Sequence, residues 1–147
     1  MAIKTITIVA LSIVFSPSFK TTESVKKPAE EIPLSSEVDN YVCNYLYIFE
    51  GYDCDTAVKP KVYLLDWGEA TLYGRYWYGT THLELNRRLK PEYINVVMLH
   101  ELVHYYGYVA GTDWGRDTCK TEEVARRVTA MYEGVPYSDD WRQWYNC

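Results

Sequence analysis

The stretch that most constrains the fold runs from Pro91 to Tyr108 and carries apolar residues on nearly every side. Pro91 suits the first turn of a helix, where its missing N–H removes no hydrogen bond, and Gly107 or Gly111 can end that helix. A surface helix would instead keep one polar face. The pattern therefore predicts a helix at the centre of the domain, and every polar side chain inside it needs a partner.

Three of the polar side chains in this helix fall in the order His100-Glu101-Leu102-Val103-His104, which is the HExxH pattern of zinc sites. Residues four apart differ by about 40° around a helix and about 6 Å along it, so both imidazoles can reach one ion. We predict Zn²⁺ bound by His100 and His104, with Glu101 as the catalytic general base for a metal-activated water. The simpler interpretation is a structural helix with two incidental histidines.

A third ligand is needed, because catalytic zinc usually has three protein ligands and one open position. The motif follows the longer metzincin pattern as far as Gly107 but has Ala110 where those proteins have a third histidine. Downstream, "TEEVARRVTAMYEG" predicts a further helix, with Thr121 as its N-cap and Gly134 as its end. That helix begins with two glutamates, Glu122 and Glu123.

These residues together resemble the gluzincins, the zinc peptidases that combine HExxH with a glutamate at the head of a downstream Glu-x-x-Ala or Glu-x-x-Ser tetrad. The matching tetrad here is "EEVA", residues 122–125, and the resemblance covers about residues 81–134. It implies a zinc peptidase in which Glu122 is the third ligand, with Glu123 as the alternative. Glu122 is favoured because it shares a helix face with Ala125 and Thr129, small residues that allow close helix packing.

Other third ligands stay open at this stage, namely His82, Asp113 and Asp117. Gluzincins often support a zinc-bound histidine with a carboxylate just after the tetrad, where this chain has Arg126. The residues that support the site are therefore unassigned. Tyrosines that can stabilise the reacting oxygen lie near the motif in sequence: Tyr105, Tyr106, Tyr108 and Tyr132.

The rest of the chain predicts a small α+β domain. Apolar residues at helical spacing in residues 37–49 predict a first helix. The segment "KVYLLDW" predicts a buried strand, and "TLYGRYWYGTTHLELN" predicts two strands joined by a turn near Gly79. The resemblance implies a minimal zincin-like fold, a small mixed sheet packed on the central HExxH helix beside a second ligand-bearing helix. In zincins an edge strand beside that helix binds the substrate backbone, and "THLELN" is the candidate for that strand.

The N-terminal region predicts export. Residues 1–18 combine Lys4, a short apolar run and small residues at the end, which is typical of a signal peptide and too short for a comfortable membrane span. Residues 19–36 are polar and charged, which predicts a flexible linker before a domain at 37–147. The expected location is secreted or periplasmic.

The chain has four cysteines and no Cys-x-x-Cys pair, which in an exported protein favours two disulfides over a thiolate metal site. Three pairings are possible. We favour Cys43 with Cys54 as a local link, and Cys119 with Cys147 as a link that ties the C-terminus to the domain.

The sequence as a whole predicts an exported, monomeric zinc metallopeptidase, a hydrolase that acts on a peptide or protein substrate. The net charge of −5 does not favour a nucleic-acid partner, and no membrane span is expected after signal cleavage. Three alternatives stay open: a catalytically inactive zincin-fold protein that binds zinc or a partner, a cell-wall peptide hydrolase, and a disulfide-stapled binding module.

Overall fold

The computed structural model describes residues 28–67 and 72–147. The predicted signal peptide and the first part of the predicted linker lie outside the described residues. Within the described ranges the strands are β1 (Glu30–Ile32), β2 (Lys61–Leu65), β3 (Gly74–Tyr76) and β4 (His82–Asn86). The helices are α1 (Ser36–Glu50), α2 (Pro91–Val109), α3 (Thr118–Glu133) and the short α4 (Arg142–Tyr145). The chain is therefore an α+β domain.

The four strands form one mixed sheet in the order β1-β2-β4-β3. Strand β4 lies inside the sheet, parallel to β2 and antiparallel to β3. The prediction that "THLELN" is the substrate-binding edge strand is therefore wrong, because both edges of β4 are already hydrogen-bonded. The edge on that side is β3, which joins β4 through a turn at Gly79 with φ of 84°. The turn itself agrees with the prediction.

Helix α2 is the central element of the domain, as its all-round apolar surface predicts. It packs against α1, α3, β3 and β4. Residues Met98, Leu99, Leu102 and Val103 are at most 1% exposed, so this helix passes through the core rather than covering it. Burial on every side is what brings the polar side chains of the HExxH pattern into an environment where they need partners.

Helix α3 begins earlier than predicted. Its N-cap is Asp117, whose side chain accepts a hydrogen bond from the Lys120 N–H, and not Thr121. Both residue types suit an N-cap, and the aspartate three positions before Lys120 satisfies a free N–H of the first turn. The helix ends at Gly134 with φ of 67°, as predicted. Thr121 is consequently a buried residue of the first turn.

Strand β1 lies in the segment 19–36, whose polar composition predicts a linker. It pairs antiparallel with β2, where Ile32 lies opposite Val62. A strand of three residues with two exposed glutamates is too short to show an alternating apolar pattern in the sequence. Its pairing depends instead on β2, which lies far along the chain. The sheet therefore begins before Glu37, the predicted start of the domain.

Both predicted disulfides are present, Cys43–Cys54 and Cys119–Cys147. The first joins α1 to the loop that follows it, and the second joins the first turn of α3 to the C-terminal residue. In the two described ranges, no helix is both long and apolar enough to cross a membrane. The paired cysteines fit an extracellular environment, where disulfides persist.

Candidate metal centre

The metal cluster, defined as His100, His104 and Glu122, brings three ligand atoms together between α2 and α3. His104 Nε2 lies 3.2 Å from His100 Nε2 and 3.1 Å from Glu122 Oε2, and His100 Nε2 lies 3.3 Å from the same oxygen. The Glu122 side chain is fully buried, His104 is 2% exposed and His100 is 13% exposed. The cluster is thus a nearly equilateral triangle of ligand atoms that opens to solvent on the His100 side.

Close packing of the two helices brings these atoms within reach. Ala125 is fully buried and lies one turn after Glu122, so no large side chain separates α3 from α2 at this level. The loop between the helices folds back tightly. A Cβ on Gly107 would lie 2.1 Å from the Trp114 ring, and one on Gly115 would lie 2.0 Å from the Gly107 carbonyl oxygen. Glycine at these positions allows α3 to return directly alongside α2.

The chemistry of the three atoms calls for a cation. His104 Nδ1 lies 3.2 Å from the Thr121 hydroxyl, to which an Nδ1–H can donate. That tautomer leaves a lone pair on Nε2, which then faces another imidazole nitrogen and an anionic carboxylate oxygen. Between deprotonated histidines and the carboxylate these lone pairs repel one another, so they need either a shared proton or a metal ion between them. The buried group of His100, His104 and Glu122 can therefore bind a metal ion.

Neighbouring residues hold the cluster in place. Thr121 contacts His104, and Arg126 donates from Nε to Glu122 Oε1 at 2.6 Å. The two oxygens of Glu122 are thus divided, with Oε2 directed at the histidines and Oε1 at the guanidinium. Burial by itself would raise the pKa of Glu122, but the two histidines hold it well below its usual value. Glu122 is therefore a carboxylate and available as a ligand.

Glu101 lies beside the cluster without belonging to it. It is 1% exposed, and burial raises its pKa to about 8, an effect that nearby His104 opposes and Glu122 reinforces. A Cβ on Gly74 of strand β3 would lie 2.9 Å from Glu101 Oε1 and 2.7 Å from Val97 Cγ1. The missing side chain at Gly74 leaves the space that this carboxylate occupies. A buried carboxyl with a raised pKa is suited to proton transfer near neutral pH.

Two cavities meet at the cluster. The first, of about 250 Å³, has a mainly apolar lining and reaches Glu101. The second, of about 230 Å³, lies on the other side of His100. His100, Arg126 and Thr129 line both. Tyr73, Gly74, Val96, Val97 and Trp144 complete the first, and Ala130, Glu133, Val135, Pro136, Tyr137 and Ser138 the second. Together they form a cleft that runs past the open side of the cluster.

The alternative third ligands lie elsewhere. Glu123 pairs with Arg127 and Arg142, each at 2.9 Å. His82 lies on β4, with Nε2 3.5 Å from a carboxylate oxygen of Glu84. Asp117 caps α3, and Asp113 is exposed on the loop before it. Among the His, Cys, Asp and Glu residues that the structure describes, Glu122 is the one that joins the two histidines in a three-residue group.

The four tyrosines suggested as stabilisers of a reacting oxygen do not reach the cluster. The hydroxyls of three of them point away from the metal cluster. Tyr105 donates to the Val58 carbonyl, Tyr106 donates to Asp39, and Tyr132 donates to Glu37. The ring of Tyr108 stacks on that of Tyr78. All four lie close to the HExxH motif in sequence, but closeness in sequence does not determine the direction in which a helical side chain points.

Tyr145, in the short helix α4, lies near the cluster. Its ring lies 5.7 Å from the Arg126 guanidinium, and burial followed by the negative charge of Glu122 raises its pKa. Sequence reasoning missed this residue, although the predicted Cys119–Cys147 link was a usable signal. Cys119 lies in the same helical turn as Glu122, so the link brings the residues just before Cys147 close to the site.

Comparisons of the chain with protein-family models, with curated protein sequences and with solved structures found no match.

Proposed function

We propose that the chain is a zinc-dependent metallopeptidase of zincin type, similar to gluzincins, in which His100, His104 and Glu122 hold the ion. The observation that carries the proposal is the triangle of ligand atoms, with sides of 3.1 to 3.3 Å. Ligand atoms of a tetrahedral zinc shell with bonds of about 2.0–2.1 Å lie about 3.3–3.4 Å apart. Two imidazole nitrogens and one carboxylate oxygen are also a ligand set that zinc accepts, and it leaves the fourth position for water or substrate.

When bound, zinc supplies a Lewis acid that polarises a carbonyl and lowers the pKa of a bound water to about 7. The chain's own residues do the rest. The charge of a bound ion would favour the ionised form of Glu101, whose carboxylate then accepts a proton from the attacking water as the new bond forms between water oxygen and amide carbon. It then returns that proton to the amide nitrogen as the carbon–nitrogen bond breaks. Thr121 and Arg126 keep His104 and Glu122 oriented throughout.

A peptide substrate is supported by the position of strand β3. This strand forms an edge of the sheet, and Tyr73 and Gly74 at its start line the cavity that reaches Glu101. An extended peptide can add to such an edge through main-chain hydrogen bonds, which brings one of its amide bonds beside the metal cluster. This role belongs to β3 and not to β4.

The proposal is tested with Glu101→Gln, which keeps the shape of the side chain and removes its basicity. We expect zinc to remain bound in a 1:1 ratio and peptide hydrolysis to fall by at least about a hundredfold, the lower range for loss of a general base. Metal content is measured by mass spectrometry, and hydrolysis with a mixed library of unstructured peptides. Full activity in this variant would exclude the mechanism.

The control is Glu84→Gln, because the Glu84 side chain is only 12% exposed and lies 3.5 Å from a histidine nitrogen, but belongs to β4 and not to the metal cluster. It should keep both zinc and hydrolysis. A wild-type protein that binds zinc and cleaves no peptide in the library would instead favour a zincin-fold protein without catalysis. A purified protein without zinc would favour the structural interpretation of the helix.

A further inference from the structure

The C-terminal segment, defined as residues 135–147, forms one wall of the cleft around the metal cluster. Trp144 lines the cavity that reaches Glu101, while Val135, Pro136, Tyr137 and Ser138 line the second cavity. The opposite walls come from α2, α3 and the start of β3. The ligand atoms belong only to α2 and α3, so the metal cluster and the wall of its cleft come from separate parts of the chain.

The C-terminal segment is firmly packed on the domain at Trp141 and more loosely packed beyond it. Trp141 is 2% exposed, packs against the Arg126 and Arg142 guanidinium groups, and fixes the segment on α3. Beyond it, the Trp144 side chain is 64% exposed. The ion pairs of Arg142 with Glu123 and Asp139 lie at the surface, where such pairs stabilise little. None of the last six residues belongs to the hydrophobic core, and Tyr145 among them is held by its ring contacts with Trp141 and Arg126.

The Cys119–Cys147 disulfide supplies the missing attachment. It fastens the final residue of the segment to the first turn of α3, the turn that also carries Thr121 and Glu122. Trp144 and Tyr145 are thus held between two fixed points, buried Trp141 on one side and the disulfide on the other. A segment fixed at one end only would keep the Trp144 side chain against the cleft for a smaller fraction of the time.

We infer that the C-terminal segment is part of the substrate-binding cleft, with Trp144 as a residue that contacts substrate and the Cys119–Cys147 disulfide as the link that positions it. This inference rests on the proposed function, since the cleft is the one in which peptide would bind. The cavity next to Trp144 is lined by Tyr73, Val96 and Val97, so it accepts an apolar side chain of the substrate. The disulfide then serves the site as well as stability.

The chain contains its own control, because the second disulfide lies away from the cleft. Cys43–Cys54 links α1 to the following loop, and neither residue lines the two cavities. The experiment compares the double variants Cys119→Ser/Cys147→Ser and Cys43→Ser/Cys54→Ser in the full, zinc-loaded chain. The first should keep 1:1 zinc and lose at least about a hundredfold in kcat/KM, the loss expected when substrate is misplaced by about 1 Å. The second should keep kcat/KM close to wild type.

Two further measurements keep the inference independent of folding and of the proposed activity. In the metal-free protein, amide hydrogen exchange at residues 142–147 should become faster in Cys119→Ser/Cys147→Ser, while α2 stays protected. In the disulfide-bonded protein, Trp144→Ala should raise KM more than it lowers kcat. Tyr47→Ala is its matched control, since Tyr47 is 67% exposed on α1.

Phenylalanine hydroxamate, a zinc-binding probe with an aromatic side chain, separates the two possible failures. If wild type cleaves no peptide, the proposed function fails, but the probe should still bind zinc-loaded wild type more tightly than the Trp144→Ala variant. Equal binding to both proteins would overturn the role of Trp144. Unchanged kcat/KM in Cys119→Ser/Cys147→Ser, with slow exchange at residues 142–147, would overturn the role of the disulfide.

Discussion

Two polar clusters pack against α2, and they differ in how their hydrogen-bonding groups are matched. The Asp39 cluster, defined as Asp39, Lys59 and Tyr106, is complete. The Tyr106 hydroxyl donates to Asp39 Oδ1 at 2.5 Å, and Lys59 Nζ lies 2.8 Å from Asp39 Oδ2 and 3.1 Å from the Tyr106 oxygen. Burial, reinforced by the bond to Asp39, raises the pKa of Tyr106, so its hydroxyl stays a donor. Negative and positive charge are balanced within this cluster.

The metal cluster lies on another face of the same helix, and its balance depends on whether a proton or a metal ion lies at its centre. Two imidazole nitrogens and a carboxylate oxygen face one another, and each can contribute a lone pair. Arg126 and Thr121 are bound to the outer atoms of this group and not to its centre. The comparison teaches that burial of polar groups alone does not indicate function. A buried cluster indicates a ligand when its own donors and acceptors do not match.

The largest expected effect separates the two glutamates at the head of the tetrad. Glu122→Gln removes the charge of a ligand, so zinc affinity should fall by more than the roughly 10–100-fold that is typical for loss of a supporting residue. Glu123→Gln should leave zinc affinity unchanged, since Glu123 pairs with surface arginines. Competition with a fluorescent zinc chelator measures both values. Equal affinities in the two variants would mean that the metal cluster does not hold the ion.

An intermediate effect is expected from Thr121→Val, which keeps side-chain volume and removes the hydroxyl next to His104 Nδ1. Zinc affinity should fall by about 10–100-fold, because the imidazole loses the partner that sets its tautomer and orientation. Thr129→Val is the control. The Thr129 hydroxyl donates to the Ala125 carbonyl of its own helix, so zinc affinity should not change. An unaltered zinc affinity in Thr121→Val would show that Thr121 does not support the metal cluster.

The smallest effect, and one confined to stability, is expected in the Asp39 cluster. Tyr106→Phe removes a buried donor from Asp39, so the free energy of unfolding should fall by about 1–3 kcal/mol. Zinc affinity and hydrolysis should stay at wild-type values. Urea unfolding of the metal-free protein measures the first, and the chelator assay the second. A large loss of zinc binding in Tyr106→Phe would show that the two clusters are coupled through α2. The conclusion that the Asp39 cluster serves stability alone would then be wrong.

The elements that could be predicted are those encoded by local patterns. Pro91 and the apolar run after it locate α2, Gly134 ends α3, and the spacing of His100 and His104 places two ligand atoms on one face. The choice of Glu122 over Glu123 also follows from a local pattern, because small residues mark the face of a helix that packs closely. The structure brings Glu122 to the histidines and leaves Glu123 at the surface.

The elements that could not be predicted depend on partners distant in the chain. The order of strands in the sheet, which makes β3 and not β4 the edge, is decided by pairing and not by the sequence of either strand. Strand β1 is too short to have a period. Trp144 reaches the cleft and Tyr145 reaches the Arg126 guanidinium because the chain returns to α3 at its end, and no local pattern near the HExxH motif contains that information.

Strand β3 can lie directly against the Glu101 carboxylate because Gly74 has no side chain. Any L-residue with a Cβ at this position meets Glu101 and Val97 at less than 3 Å, so either the strand or the carboxylate must shift. We therefore expect the evolutionary record to restrict this position more tightly than its short, irregular strand would suggest. Homologues that replace Glu101 should be free to vary at position 74, so that covariation between the two positions distinguishes lineages that keep a glutamate at position 101 from those that have lost it.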